Sequence, residues 1–84
     1  MPYLLKIKNS AFKEIQKIDK PSRQRVIEAI DKLTSNPHIG KQLKGEHSGL
    51  RRIRSGSYRV VYEINENEIV VLILRVAHRK DIYQ

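Results

Sequence analysis

The 84-residue chain contains no cysteine, which removes disulfide frameworks, thiolate zinc sites and cysteine nucleophiles together. Its three histidines, His38, His47 and His78, stand at no spacing familiar from metal sites, so neither a metal nor another cofactor is expected. Aromatic residues are only 6% of the chain, too few for base stacking to be the main mode of nucleic-acid binding. Acids are also scarce: 9 Asp plus Glu against 17 Lys plus Arg, a formal net charge of +8 and a pI near 10.1. Such a balance favours nucleic acid or another polyanion as partner. No apolar run is long enough to span a bilayer, no amphipathic helix carries a bulky apolar face, and nothing before Pro2 reads as a signal peptide. The expectation is therefore a soluble, cytoplasmic protein with no membrane partner. Residues 1–84 are read as a single domain, able to bury roughly 60 to 65 per cent of its unfolded surface.

The positive charge is concentrated. Lys41, Lys44, Arg51, Arg52, Arg54 and Arg59 face a single acid, Glu46, between positions 41 and 59. Within that segment GLRRIRSGSYRVVYE, Gly49 to Glu63, threads arginines through a β-hairpin pattern. Ser55-Gly56 is the X-Gly signal of a tight primed turn. With those two as the loop, Arg54 faces Ser57, Ile53 faces Tyr58, Arg52 faces Arg59 and Leu50 faces Val61. The period of two then puts Ile53, Tyr58, Val60, Tyr62 and Ile64 on a core face and Arg52, Arg54 and Arg59 on the other. Opposed like charges cost a few tenths to about 1 kcal/mol per pair, so the arginine pairing points to an anion between the side chains.

The rest of the chain frames this hairpin. YLLKIK, Tyr3 to Lys8, reads as a short strand. Asn9 and Ser10 are N-cap candidates for a helix of about ten residues carrying Ala11, Phe12, Ile15 and Ile18. Lys20 and Pro21 end it, and Pro21 and Ser22 open a second helix with Val26, Ala29, Ile30 and Leu33 inward, supported by Glu28 and Lys32, which stops at Asn36 before Pro37. Pro37 to Gly49 is loop-like, with Leu43 as its anchor. Asn65 to Asn67 make a second turn, and EIVVLILRVA, Glu68 to Ala77, is a central strand buried on both faces. No internal repeat or low-complexity segment appears. Lys6, Lys8, Lys13, Lys17, Arg23 and Arg25 are read as solvated surface.

Arg52, Arg54 and Arg59 supply forked donors at the spacing phosphates need, with Arg51, Lys41 and Lys44 as further RNA-binding positions. Cleaving RNA also requires a group to take the 2'-OH proton and one to protonate the leaving 5'-oxygen. Arginine, with a pKa above about 12, is a poor base. His78, near 6.5, and Tyr83, near 10, are the candidates for proton transfer. If the last strand runs antiparallel to Tyr58–Glu63, His78 and Arg79 arrive beside the arginine face.

Together, the YLLKIK strand, two helices, QLKG, LRRIRSGSYRVVYEI and IVVLILRVAHRKDIY resemble the RelE family of toxins from bacterial and archaeal toxin–antitoxin pairs. The most specific parts are Gly-x-Tyr-Arg-x-x-Tyr, Gly56 to Tyr62, and His-Arg-Lys-Asp-x-Tyr, His78 to Tyr83. The resemblance implies an α+β fold in the order β-α-α-β-β-β, the helices packed on one face of an antiparallel sheet. It implies a metal-independent mRNA endoribonuclease acting in the ribosomal A site, with Arg52, Arg54, Arg59 and Arg79 binding RNA and stabilising the phosphorane. Tyr83 would orient or deprotonate the nucleophile, and His78 occupies a position where relatives have His or Lys. Some relatives place a glutamate base near QLKG. Lys41 and Gln42 stand there in this chain, and Glu46 lacks the motif context. The implied partners are the ribosome, mRNA and a cognate RelB-like antitoxin whose acidic segment wraps the toxin.

Two other functions compete. The related ParE branch shares the fold and inhibits DNA gyrase by protein contact, which leaves the His78 to Tyr83 tail and Arg59 without a chemical need. A plain basic nucleic-acid-binding module explains the charge but not the tail.

Overall fold

The computed structural model describes residues 2–78 and residue 80. Strand β1 (Leu4–Ile7) leads into helices α1 (Asn9–Gln16) and α2 (Lys20–Leu33). A two-residue strand β2 (Lys41–Gln42) precedes a meander of β3 (Arg51–Ser55), β4 (Tyr58–Asn65) and β5 (Val70–His78). The sheet order is β1-β5-β4-β3-β2, with β1 parallel to β5 and every other pair antiparallel. The expected succession of elements is present. The parallel β1–β5 pair and the short β2 are additions to it.

Helix boundaries differ from expectation for local reasons. Lys8, extended and without a side-chain cap bond, stands at the N-cap of α1, so Asn9 and Ser10 lie inside the first turn. Asp19 caps α2 by accepting from the Ser22 amide at 3.3 Å. Pro21 falls in the first turn, where its missing N–H is no loss. The helix ends at Leu33 with Thr34 as C-cap, short of Asn36.

Val26, Ile30 and Leu33 of α2 and Ala11 and Ile15 of α1 bury against Val60, Tyr62, Val71, Ile73 and Val76. Each large side chain removed from water in this layer contributes about 1.5–3 kcal/mol. The opposite face holds a smaller cluster, Val61 and Ala77 with Leu43 and Leu50 packed on them. The loop after β2 thus covers part of the face away from the helices, with Leu43 as the expected anchor.

Strand β5 bulges. Val61 pairs with Arg75 and Tyr62 with Ile73, so Leu74 has no opposite number. An uninterrupted period of two would carry Val71 and Ile73 into Arg75 on the helix side. The extra residue resets the alternation so that Val76 is buried and Arg75 exposed. Strand β1 reaches only to Ile73, and among the described residues no strand pairs with the outer edge of β5 beyond it. Glu14 of α1 fills the gap, accepting from the Val76 amide at 2.8 Å and from Arg75 Nη2 at 3.1 Å.

Tyr62 is fully buried. Its hydroxyl donates to the Pro37 carbonyl at 2.6 Å and accepts from the Gly40 amide at 3.0 Å. A Cβ at Gly40 would fall within 2.1 Å of that hydroxyl, so the chain passes where only glycine fits. Arg51 reinforces the turn, its Nη1 donating to the carbonyls of His38 and Gly40 at 3.1 and 2.8 Å. Burial raises the Tyr62 pKa, against smaller lowering effects from the Gly40 bond and Arg51. Among the described residues no helix is long and apolar enough to cross a membrane.

Tyr62→Phe should lower stability by about 1–3 kcal/mol at neutral pH, the cost of leaving the two backbone groups unsatisfied. A raised folded pKa means that the hydroxyl's contribution is complete below the unfolded value, about 10, and is lost as pH rises through the folded one. The gap between parent and variant in urea denaturation should therefore narrow in alkali. An equal gap at every pH would show that the hydroxyl does not hold the turn.

Candidate nucleic-acid interface

Gly56 adopts φ 60°, and Ser57 is not among the residues with positive φ. Glycine first and an ordinary residue second is the type II′ pattern, so the two-residue loop is Gly56-Ser57. The turn lies one residue later than the Ser55-Gly56 expectation. Arg54 now opposes Arg59, Ile53 opposes Val60, Arg52 opposes Val61 and Ser55 opposes Tyr58. Moving a two-residue turn by one shifts the pairing by two, so every side chain keeps its face. The expected division survives: Val60 and Tyr62 in the core with Tyr58, Ile53 and Ile64 packed against it, and Arg52, Arg54 and Arg59 on the other side.

The direct opposition of two guanidinium-bearing residues falls on Arg54 and Arg59 instead of Arg52 and Arg59. Between them, at the hairpin tip, is a notch of about 70 Å³ lined by Arg54, Gly56, Ser57 and Arg59. Lys41 pairs with Arg52 and extends the cationic surface across β2. A shallower cleft of about 370 Å³ there includes Lys44 and His47. Along the β3 edge a groove of about 650 Å³ is lined by the apolar Ala29, Ile39 and Ile53 and by Arg25, Glu28, Lys32, Lys41, Arg52 and Arg54. Arg25, expected as solvated surface, and Lys32, expected as the helical partner of Glu28, both line this groove. Their place on α2 opposite β3 arises only when the helix packs.

Not every expected site residue joins this surface. Arg51 pairs with Tyr62 in register and is engaged with the loop carbonyls, apart from the other arginines. His78 pairs with Tyr58, and the two rings meet edge to face at 5.6 Å on the helix side of the sheet. The bulge at Leu74 is the cause, because it reverses which side the strand end presents. Arg79 and Tyr83 lie outside the described residues. Far from the hairpin tip, Glu66 accepts from the Tyr3 hydroxyl at 2.9 Å and pairs with His38 Nε2 at 2.9 Å. Those bonds, Tyr3 first, hold its carboxyl below the usual range. Among the described residues no three His, Asp or Glu side chains gather as a metal site requires.

The like-charge pair carries a stability signature. Arg54→Gln should raise the stability of the isolated protein by about 0.2–1 kcal/mol at low salt, and the gain should fade as salt screens exposed charges. Chemical denaturation at two ionic strengths measures it. A loss at both would mean that Arg54 is structurally engaged rather than held against its neighbour.

The sequence and the fold have counterparts. Residues 5–83 match the family described as ParE toxin of the type II toxin–antitoxin system parDE. Toxin RelG of Mycobacterium tuberculosis is 36% identical, over 100% of this chain and 99% of its own. The mRNA interferase toxin RelE of Escherichia coli K12 is 27% identical, over 95% and 86%. The toxin–antitoxin complex RelBE2 of M. tuberculosis contains a chain that superposes with a TM-score of 0.87 at 32% identity, covering 94% of this chain and 100% of that one. Matched over nearly its full length by the family model, by a relative at 36% identity and by a superposing toxin structure, the chain belongs to the RelE family of type II toxins.

Proposed function

We propose that this toxin is a ribosome-dependent endoribonuclease that cuts mRNA in the A site, and that a RelB-like antitoxin with an acidic segment restrains it in the cytoplasm. The observation that carries the reading is the Arg54–Arg59 opposition around a notch at the hairpin tip. Like charges on directly opposed strand residues are unfavourable, and a phosphodiester at the notch would be attracted by both side chains. Arg52 and Lys41 extend the same surface along the RNA backbone, with Lys44 beyond them. The name mRNA interferase carried by the E. coli relative, and the antitoxin bound in the M. tuberculosis complex, agree with both halves of the proposal.

In this reading the 2'-oxygen attacks the adjacent phosphorus, the bond to the 5'-oxygen breaks, and the products are a 2',3'-cyclic phosphate and a 5'-hydroxyl. Charge accumulates on the non-bridging oxygens in the transition state. Arg54 and Arg59 are arranged to stabilise it without reorganising. Tyr83 is assigned the proton leaving the 2'-OH, as the family resemblance implies, and once protonated it can return that proton to the 5'-oxygen; Arg79 joins the residues that stabilise the phosphorane. The chemistry needs no metal. The His78 ring, packed against Tyr58 on the far side, is assigned no proton.

The ParE description of the matching family favours one second reading, a non-enzymatic toxin that blocks gyrase by contact. Primer extension on an mRNA translated in a purified system separates the two. Cuts at A-site codons support the nuclease; an intact message together with blocked supercoiling supports the gyrase reading. Arg59→Ala should lower cleavage by about 10²- to 10³-fold, the effect of removing one transition-state donor. Undiminished cleavage by that variant would remove the hairpin tip from the mechanism. Tyr83→Phe should slow single-turnover cleavage while leaving co-sedimentation with ribosomes near the parent level. Equal loss of both would make the tyrosine structural.

A further inference from the structure

Behind the hairpin tip, on the helix side of the sheet, is a cleft of about 310 Å³ between the Ser55–Tyr58 turn and the start of α2. The cleavage step makes no use of it. We propose that this cleft receives a base adjoining the phosphate held by Arg54 and Arg59, and thereby selects which codons are cut. The inference rests on the nuclease reading.

Adjacency is the first argument. The phosphate notch and the cleft share Gly56 and Ser57 as a common wall. Successive strand residues project to opposite faces, so Arg59 and Tyr58 place a cation and an aromatic ring on the two sides of neighbouring rungs. Gly56 leaves this shared wall without a side chain, and no described neighbour lies within 4 Å of where one would begin. A sugar crossing there would leave its phosphate on one side and its base on the other.

The lining is the second. Tyr58 and His78, edge to face, supply ring surface, and stacking on it attracts any base without choosing among them. Across the cleft, α2 contributes Asp19, Ser22 and Arg25. One Asp19 oxygen accepts from the Ser22 amide, and the carboxylate has a second oxygen for a donor from a ligand. A carboxylate accepts from the exocyclic amines of adenine, cytosine or guanine, while an arginine donates to ring nitrogens and carbonyls. Uracil has no exocyclic amine, and its one free donor, N3–H, lies between two carbonyl oxygens that repel a carboxylate. The cleft should therefore favour the three amino-bearing bases over uracil.

Asp19→Asn is the informative variant, since asparagine caps a helix as well as aspartate while changing what the side chain offers a base. The full-length protein and this variant are compared on an mRNA library carrying all codons in a purified translation system, read by sequencing the cut ends. The parent should cut messages with an amino-bearing base at one position next to the scissile phosphate at least about 10-fold better than those with uracil, as one good base contact provides. Asp19→Asn should compress that ratio at that position alone. An unchanged codon profile, or a uniform loss at every codon, overturns the proposal. If the parent cuts nothing, the nuclease reading fails on its own, and the cleft is judged by NMR titration of the parent with 2'-O-methylated CpC and UpU. Shifts at Ser22, Ser57 and Tyr58 that are stronger with CpC support it; equal or absent shifts overturn it.

Discussion

The Tyr62 hydroxyl, held between the Pro37 carbonyl and the Gly40 amide, fixes the path of the chain between the helices and the sheet. That path sets where β2 begins, and β2 sets Lys41 beside Arg52. Arg51 closes the same turn with bonds to His38 and Gly40. Its neighbour Arg52 points the other way, since adjacent strand residues must. Two consecutive arginines thus divide between holding the scaffold and building the cationic face, and the buried tyrosine makes the division stable. A buried hydroxyl with both its roles satisfied is costly to disturb, which suits a part that positions charge on the opposite face.

The cationic face works against the fold that carries it. Arg54 and Arg59 are placed opposite one another by a tight turn whose geometry leaves them no alternative register. The apolar layer beneath, from Val26 to Val76, is large enough to tolerate a conflict of this size. Conflict confined to one rung of a sheet is the kind of local inconsistency expected at a functional position. An anionic partner relieves it, whether phosphate or the acidic segment proposed for the antitoxin. Competition between inhibitor and substrate for the same two side chains would follow from electrostatics alone.

Family membership narrows the function without completing it. The matching family is described by ParE, while the named relatives and the superposed complex carry RelE or RelG names. A shared fold hosts more than one activity. On the proposed nuclease reading, the difference resides in side chains at the hairpin tip.

The order of elements, the inward faces of both helices and the separation of Arg52, Arg54 and Arg59 from the core side of the hairpin were legible in the sequence, because each follows from a local period of 3.6 or 2 that packing preserves. The turn was legible to within one residue. Ser55-Gly56 and Gly56-Ser57 both satisfy the residue pattern, and the strand register, with Ser55 opposite Tyr58 and φ positive at Gly56 alone of the three, separates them. Other features belonged to the tertiary structure. The pairing of β1 with β5 joins segments far apart in the chain, which no local pattern encodes. The side taken by His78 depends on the bulge at Leu74, and a strand apolar on both faces gives no alternation from which a bulge can be read. Asp19 and Arg25 acquire a place beside the hairpin only when α2 packs across it. Local periodicity determined which residues face together; long-range packing decided which of those faces meet at the tip.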